Sequence, residues 1–87
     1  MSTALSILYL SLNEEDVFGQ SLESVQSIAD EIVVIDSGSS DSTVQIAERA
    51  GANVYHRPLI NWGEQRNWGL NKCNHSWTLV VDCDEVL

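Results

Sequence analysis

The stretch that decides the fold is residues 31–41, which read Glu-Ile-Val-Val-Ile-Asp-Ser-Gly-Ser-Ser-Asp. The four aliphatic residues at 32–35 predict a strand that is buried on both faces, as in parallel sheets. The small polar residues at 37–40 predict a loop, and Asp41 stands where an acidic side chain caps a helix. This stretch therefore predicts a strand, a loop and a helix in direct succession.

The same alternation extends outward in both directions. Upstream, residues 5–10 predict a buried strand, and Asn13 is placed to cap a helix with an apolar stripe from Val17 to Ala29. Downstream, Gly51 is expected to end the second helix. The remaining predicted elements are a strand at 52–56, a helix that the capping-box pair Asn61 and Glu64 opens and that runs to about residue 73, and a strand at 77–81. Alternating strands and helices predict a three-layer α/β fold, in which helices cover both faces of a parallel sheet.

The composition limits the class of protein. The chain has 87 residues, 44% hydrophobic and 20% charged, which predicts one folded domain over residues 1–87. Its net charge of −9 argues against general nucleic-acid binding and against a basic membrane-surface helix. The N-terminus lacks the basic residue of a signal peptide, and Cys73 and Cys83 lack disulfide or zinc spacing. We therefore expect a cytoplasmic protein with free thiols.

Candidate functional residues follow the predicted strands. Ligands of open α/β sheets bind beyond the carboxyl ends of the strands, so these residues are expected to converge on one rim. They are Asn13 and Glu14 after the first strand, Asp36, Ser37, Gly38 and Ser39 after the second, His56 and Arg57 after the third, and Asp82, Asp84 and Glu85 after the fourth.

The sharpest chemical signal is Asp82-Cys83-Asp84. Two carboxylates two residues apart at the end of a buried strand can aim at one divalent cation, and Mg²⁺ and Mn²⁺ prefer such hard oxygen ligands. The cation would neutralise a diphosphate that this acidic rim otherwise repels. The alternative is a solvated turn, since D-x-D tripeptides are frequent. The strand-end position, followed by Glu85, favours metal binding by Asp82 and Asp84.

Asp36 and Arg66 each have two interpretations. An acid after the second strand accepts a ribose or base hydrogen bond in dinucleotide-binding folds, or it orders its own loop as an Asx turn. Because Asp41 takes the capping role, Asp36 is expected to be free for a ligand. Arg66 forms a structural ion pair or binds a phosphate or a base edge. The three tryptophans are predicted to be core or interface residues, and the two cysteines to be small buried side chains.

The sequence resembles the N-terminal, nucleotide-binding half of family 2 glycosyltransferases, which have the GT-A fold. The likeness is strongest to the bacterial branch that includes lipopolysaccharide-core β-glucosyltransferases, and it covers nearly the whole chain. The segments that carry it are 12–15 (LNEE), 22–25 (LESV), 29–43 (ADEIVVIDSGSSDST), 46–47 (IA), 63–67 (GEQRN) and 77–87 (WTLVVDCDEVL). Together with right-handed crossovers, the resemblance implies a strand order of 3-2-1-4.

The resemblance also implies roles for single residues. It implies nucleotide contacts by Asn13, Glu14, Asp36, Ser37, Arg66 and Asp82, with Asp82 and Asp84 as the D-x-D pair that holds Mg²⁺ or Mn²⁺. The donor would be a nucleotide-sugar, UDP-linked, and the acceptor a glycan or lipid-linked sugar, with inversion at the transferred carbon. The family's frequent tyrosine is Leu12 here and its second aspartate is Ser37, so the base preference stays open.

Family members continue well beyond the D-x-D motif, and the resemblance places the general base and the acceptor site there. No catalytic residue is therefore predicted within the 87 residues, and the chain alone is predicted to be inactive. A longer protein would work in the cytoplasm, peripherally at the inner membrane face. The alternatives are a non-catalytic nucleotide-sugar-binding module and a protein-interaction module. The fourth strand is expected to form an exposed edge, with Trp77, Leu79 and Val81 available for self-association.

Overall fold

Four parallel strands form one sheet in the computed structural model, which describes residues 4–87. The elements are β1 (Leu5–Ser11), α1 (Phe18–Val25), β2 (Glu31–Asp36), α2 (Thr43–Arg49), β3 (Asn53–His56), α3 (Trp62–Leu70) and β4 (Trp77–Val80). The strand order is β3-β2-β1-β4, and every pairing is parallel. The α/β class and the predicted order 3-2-1-4 are confirmed.

The register of the sheet brings the strand ends together. Ser11 at the end of β1 pairs with Asp36 at the end of β2, and Asp36 pairs with His56 at the end of β3. On the other side of β1, Leu8 pairs with Val80, the last residue of β4. The loops that leave these strands therefore start from the same edge of the sheet, where ligands of α/β folds bind.

Each face of the sheet has its own core, because successive side chains of a strand point to opposite faces. On one face, strand residues such as Ile7 and Tyr9 pack with Phe18 and Leu22 of α1 and with Ala47 of α2. On the other face, Leu8, Val33 and Ile35 form a smaller core against which Trp68 of α3 and Tyr55 pack. Helices thus cover both faces, as the alternation of elements predicts.

Helix α3 lies close to the sheet because Gly69 faces it. A Cβ at Gly69 would lie 2.9 Å from side-chain atoms of both Leu8 and Ile35, so a larger residue would push against the core. Helix α3 ends at Leu70, three residues before the predicted end at residue 73. Its start is as predicted, because Asn61 Oδ1 accepts a hydrogen bond from Glu64 N at 2.8 Å.

The ends of α1 and α2 differ from the predicted caps, whereas the predicted stop at Gly51 is confirmed. Asn13 does not cap α1: it has a φ of 53°, and α1 begins at Phe18 without a side-chain cap. The N-cap of α2 is Ser42, which makes no side-chain cap bond, and not the predicted Asp41. Asp41 lies one residue earlier, and its Oδ1 accepts from Thr43 N at 2.9 Å. Gly51 follows α2 with a φ of 83°, the left-handed conformation that suits glycine at a helix end.

Strand β4 forms one edge of the sheet, and Trp77, Leu79 and Val80 are all exposed there. Val81 is an exception to the prediction, because it is 2% exposed and belongs to the core beneath α1. Its backbone N–H donates to Leu8 O at 3.0 Å and so extends the pairing past the strand. Self-association through this edge stays a prediction, which light scattering at high concentration tests.

None of the helices within residues 4–87 has the length and apolarity to cross a bilayer.

Candidate functional site

A cavity of about 380 Å³ opens at the carboxyl ends of β1 and β4, beside the first turns of α3. Its lining combines three acidic side chains, one arginine, one tryptophan and a small apolar floor. The residues are Leu10, Glu14, Trp62, Arg66, Val80, Val81, Asp82, Cys83 and Asp84. The structure thus brings four predicted site residues together: Glu14, Arg66, Asp82 and Asp84.

The acidic pair owes its geometry to the residue between its members. Cys83 is 4% exposed, and its thiol donates to Leu10 O at 3.4 Å, whereas Asp82 and Asp84 are exposed. Burial first, and then the negative charges around it, raise the pKa of the Cys83 thiol to about 12. A neutral, buried thiol therefore fixes the centre of the motif to the core and leaves both carboxylates at the cavity.

The turn that follows is closed by Glu85. Its Oε1 accepts from Asp82 N at 2.7 Å, and its own backbone N–H donates to Asp82 O at 2.9 Å. One carboxylate oxygen of Glu85 is therefore used to order the turn. Over residues 4–87, no hydrogen bond holds the carboxylate oxygens of Asp82 or Asp84, so both keep their acceptor capacity for a ligand.

The cavity is strongly acidic. Partial burial, and next the negative charge of Asp84, raise the pKa of the Glu14 carboxyl above its ordinary value. Within the described chain, no three histidine, cysteine or acidic side chains are grouped closely enough to hold a metal ion by themselves. Mg²⁺ sites commonly use one or two carboxylates and complete their shell with water and phosphate oxygens. The free carboxylates of Asp82 and Asp84 fit that type of site.

The two arginines near the cavity have different roles. Arg57 forms a bidentate ion pair with Glu64, in which Nη1 lies 2.7 Å from Oε2, and its guanidinium lies 4.9 Å from the ring centroid of Trp68. The Glu64 carboxylate thus pairs with Arg57 and does not accept from the backbone N–H of Asn61, which is the second hydrogen bond of a capping box. Arg66 is exposed, lines the cavity and makes no ion pair within residues 4–87. Arg57 is thus the structural arginine, and Arg66 is available to an anion.

A buried glutamine next to Arg66 fixes the position of α3. Gln65 is 0% exposed; its Nε2 donates to Arg57 O at 2.9 Å and to Ser37 Oγ at 3.2 Å, and its Oε1 accepts from Arg57 Nη1 at 3.3 Å. These bonds connect α3 to the ends of β2 and β3. Gln65 is not among the site residues predicted from the sequence, although its spacing of four residues from Gly69 places both on one face of the helix.

The carboxylate of Asp36 is bonded within its own loop and is not the free side chain that the sequence predicts. This carboxylate is 0% exposed and accepts from Ser11 Oγ at 2.7 Å, Ser39 Oγ at 2.6 Å, Ser39 N at 2.8 Å and Gly38 N at 3.0 Å. Burial alone would raise the pKa of Asp36, but the bonds from Ser39 and Ser11 outweigh it and hold the pKa below its ordinary value. Four bonds use its acceptor sites, so the Asx-turn interpretation holds.

The loops after β1 and β2 are bonded to each other. Asn13 N donates to Ser39 Oγ at 2.9 Å, and Ser40 N donates to Asn13 Oδ1 at 2.8 Å. Glu14 N donates to Thr43 Oγ1 at 2.8 Å. Asn13 thus holds the neighbouring loop, and neither Asn13, Asp36 nor Ser37 lines the cavity. A nucleotide contact by these three residues stays a prediction.

Trp62 is a cavity residue that the sequence analysis placed in the core or an interface. It is 47% exposed and lines the cavity together with Arg66, four residues later on the same helical face. Trp68, in contrast, is packed against Tyr55 with ring centroids 5.8 Å apart. The spacing of Trp62 from Arg66 was the signal that could have assigned it.

A parallel sheet with helices on both faces and an acidic, arginine-bearing cavity at its strand ends defines the class of nucleotide-binding α/β domains. The family described as glycosyl transferase family 2 matches residues 6–87. The chain belongs to this family.

Curated relatives agree with the family match. An uncharacterised glycosyltransferase of Rickettsia conorii is 34% identical over 100% of this chain and 31% of its own length. The lipopolysaccharide core biosynthesis glycosyltransferase LpsC of Rhizobium meliloti is 34% identical over 95% of the chain and 32% of its length. Glucosyl-3-phosphoglycerate synthase of Petrotoga mobilis is 42% identical over 90% and 27%. The chain thus spans about a third of these relatives.

Solved structures share the fold. Glucosyl-3-phosphoglycerate synthase of Mycobacterium tuberculosis in complex with Mn²⁺, uridine diphosphate and glucosyl-3-phosphoglycerate is 26% identical with a TM-score of 0.81, over 94% of this chain and 34% of that one. Its complex with uridine diphosphate alone gives 26% and 0.83, over 98% and 35%. The GT-A arrangement implied by the sequence is confirmed.

Proposed function

We propose that this chain binds the nucleoside diphosphate of a UDP-sugar and forms the donor-binding part of an inverting glycosyltransferase. The observation that carries the proposal is the cavity in which Arg66 meets Glu14, Asp82 and Asp84 at the strand ends. A neighbour with the same fold is in complex with Mn²⁺ and uridine diphosphate, which supports this choice of ligand. The acceptor would be a glycan or lipopolysaccharide, as the name of the LpsC relative suggests.

The exposed side chains of the cavity would contact different parts of the donor. Asp82 and Asp84 would hold a divalent cation through their free oxygens. Arg66 would contact the diphosphate directly, since a guanidinium donates two parallel hydrogen bonds to phosphate oxygens. Glu14 would accept a hydrogen bond from a hydroxyl of the ribose or the sugar, because an ionised carboxylate acts only as an acceptor.

A bound Mg²⁺ or Mn²⁺ supplies charge neutralisation for the diphosphate. Two buried residues would position these ligand-binding side chains. Cys83 anchors the centre of the acidic pair to the core, and Gln65 fixes the turn of α3 that carries Arg66. Asn13, Asp36 and Ser37 would contact the nucleotide from the loops that follow β1 and β2, beside the cavity. A cytoplasmic location, peripheral to the inner membrane face, stays a proposal.

Isothermal titration calorimetry with UDP tests the proposal. We expect UDP to bind in the presence of Mg²⁺ and to lose at least about tenfold in affinity, or about 1.4 kcal/mol, on chelation or in Asp84→Ala. Arg66→Gln should weaken binding with the metal present. Glu48→Ala, which removes an exposed acid on α2 that is outside the cavity lining, is the charge-matched control and should bind normally.

Two results would contradict the proposal. UDP affinity that survives both the chelator and Asp84→Ala would exclude a metal bridge at the acidic pair. No binding of UDP to the wild-type chain at millimolar concentration, with either metal, would exclude the donor site itself.

A further inference from the structure

We infer that Trp62 is the platform on which the nucleobase of the donor stacks, an inference that rests on the proposed function and goes beyond the acidic pair. In the proposed function Arg66, Asp82 and Asp84 are occupied by the diphosphate and its cation, which leaves the flat, weakly polar base to the rest of the lining. Among the residues that line the cavity, Trp62 is the one aromatic side chain. The inference assigns a role to this ring.

The three tryptophans of the chain occupy different environments. Trp68 is packed edge-on against Tyr55, and the cations of Arg57 and Lys72 lie 4.9 and 4.5 Å from its ring centroid. Its ring is therefore used within the fold. Trp77 is 65% exposed but begins β4, where it pairs with Leu5, so it lies at the opposite end of the sheet from the cavity.

Trp62 combines exposure with position. Its side chain is 47% exposed, and no aromatic or cation–π pair engages its ring within residues 4–87. An exposed indole retains apolar surface that a stacked ring can remove from water. Helix α3 presents it in a fixed place, because Asn61 caps the helix just before Trp62 and Gln65 anchors the next turn to Ser37.

The charged residues around Trp62 indicate which part of a nucleotide would contact its ring. Arg66 lies one helical turn further along α3, and Asp82 and Asp84 come from the end of β4. A diphosphate held by Arg66 and by a cation on the acidic pair leaves the uncharged base to occupy the remaining cavity wall. Base–aromatic stacking tolerates any base, which agrees with the base preference that the sequence leaves open.

The test compares UDP with pyrophosphate, both with Mg²⁺, by calorimetry on the whole 87-residue chain. Stacking of one base on an aromatic ring corresponds to about a 5- to 150-fold change in affinity. We expect Trp62→Ala to weaken UDP binding by such a factor and to leave pyrophosphate binding unchanged, and Trp62→Phe to retain most of the UDP affinity. Trp77→Ala removes an even more exposed tryptophan away from the cavity and should change neither ligand.

Fluorescence gives an independent readout. UDP with diamagnetic Mg²⁺ should change the tryptophan emission saturably in the wild-type chain and in Trp77→Phe, and this response should vanish in Trp62→Phe even though that variant still binds. Circular dichroism melting shows whether each variant is folded.

Each outcome separates the two proposals. If the wild-type chain binds neither UDP nor pyrophosphate, the donor site itself fails. If UDP binds and Trp62→Ala binds it equally well, or loses pyrophosphate to the same extent, the donor site stands and the stacking role is wrong. If Trp62→Ala weakens a UDP-sugar but not UDP, the ring faces the sugar and the base-stacking proposal is also overturned.

Discussion

Replacing Asp36 tests whether its buried carboxylate is a structural centre, as its hydrogen bonds indicate. Two variants separate shape from charge. Asp36→Asn keeps the size and one oxygen, whereas Asp36→Ala removes all acceptors from a position that is 0% exposed. The backbone N–H groups of Gly38 and Ser39 lose their partner only in the alanine variant, because the amide oxygen can replace Oδ2.

The expected magnitudes follow from this difference. A buried N–H without a partner costs about 1–3 kcal/mol. Because Gly38 is exposed and Ser39 is half-buried, the two N–H groups in Asp36→Ala predict a loss near the lower end of that range for each, about 2–3 kcal/mol in total. In Asp36→Asn the hydroxyls of Ser11 and Ser39 can rotate to accept from the new amide. That variant loses mainly the charge assistance, about 1–2 kcal/mol. A domain of this length has a total stability of about 4–13 kcal/mol, so Asp36→Asn is expected to remain folded.

Urea unfolding measures both effects, and its pH dependence measures the charge. Because the folded pKa of Asp36 lies below the model-compound value of 3.8, its carboxylate stabilises the folded state above that pH. This contribution is lost as the pH falls through the folded pKa. The difference in unfolding free energy between wild type and Asp36→Asn should therefore be constant near pH 7 and shrink below about pH 4.

Asp84→Asn is the matched control, since it removes an exposed carboxylate without hydrogen bonds in the described chain and should change stability by less than about 0.5 kcal/mol. The reasoning is refuted if Asp36→Ala costs less than about 1 kcal/mol, or if the gap between wild type and Asp36→Asn is independent of pH from 7 to about 3.

Three further predictions concern packing, thiol chemistry and local stability. Gly69→Ala should lower the unfolding free energy by about 1–2 kcal/mol, because its Cβ would press on the core of β1 and β2, whereas Gly19→Ala in α1 meets nothing within 4 Å and should be neutral or stabilising in urea unfolding. The Cys83 thiol, with its pKa raised to about 12 and 4% exposed, should react with a disulfide reagent at pH 8 at least about 100-fold more slowly in the native chain than in urea. Amide hydrogen exchange should be slowest at 6–10 and 32–35 in the central strands; exchange there as fast as in the connector between β3 and α3 would contradict the sheet order.

Local patterns predicted the elements well where a residue's neighbours in sequence decide its structure. The strand at 32–35, the Asn61 cap and the Gly51 stop each depend on contacts within a few residues. The failures are contacts between distant segments. Asn13 looks like a helix cap, but its Oδ1 accepts from Ser40 N, 27 residues away.

The site residues show the same difference between local patterns and contacts of distant segments. Asp82 and Asp84 are identified by spacing and strand end alone, and the cavity confirms that they lie together. The choice between Arg57 and Arg66 is different, because only the fold shows that Arg57 pairs with Glu64. Trp62 was missed for a related reason: an aromatic residue is usually core, and its exposure depends on how α3 packs.

The buried thiol at the centre of the acidic pair has a consequence for which changes this segment tolerates. Since Cys83 is 4% exposed while its two neighbours are exposed, the segment has a strict inside–outside alternation. A small apolar residue in its place would keep that alternation. Insertion or deletion of a single residue after Val81 would reverse the alternation and place a carboxylate beside Leu10 O. A carbonyl oxygen cannot donate a hydrogen bond, so the buried charge would be uncompensated. In a library of variants, this segment should therefore accept small apolar substitutions at position 83 and reject the insertion or deletion of a single residue.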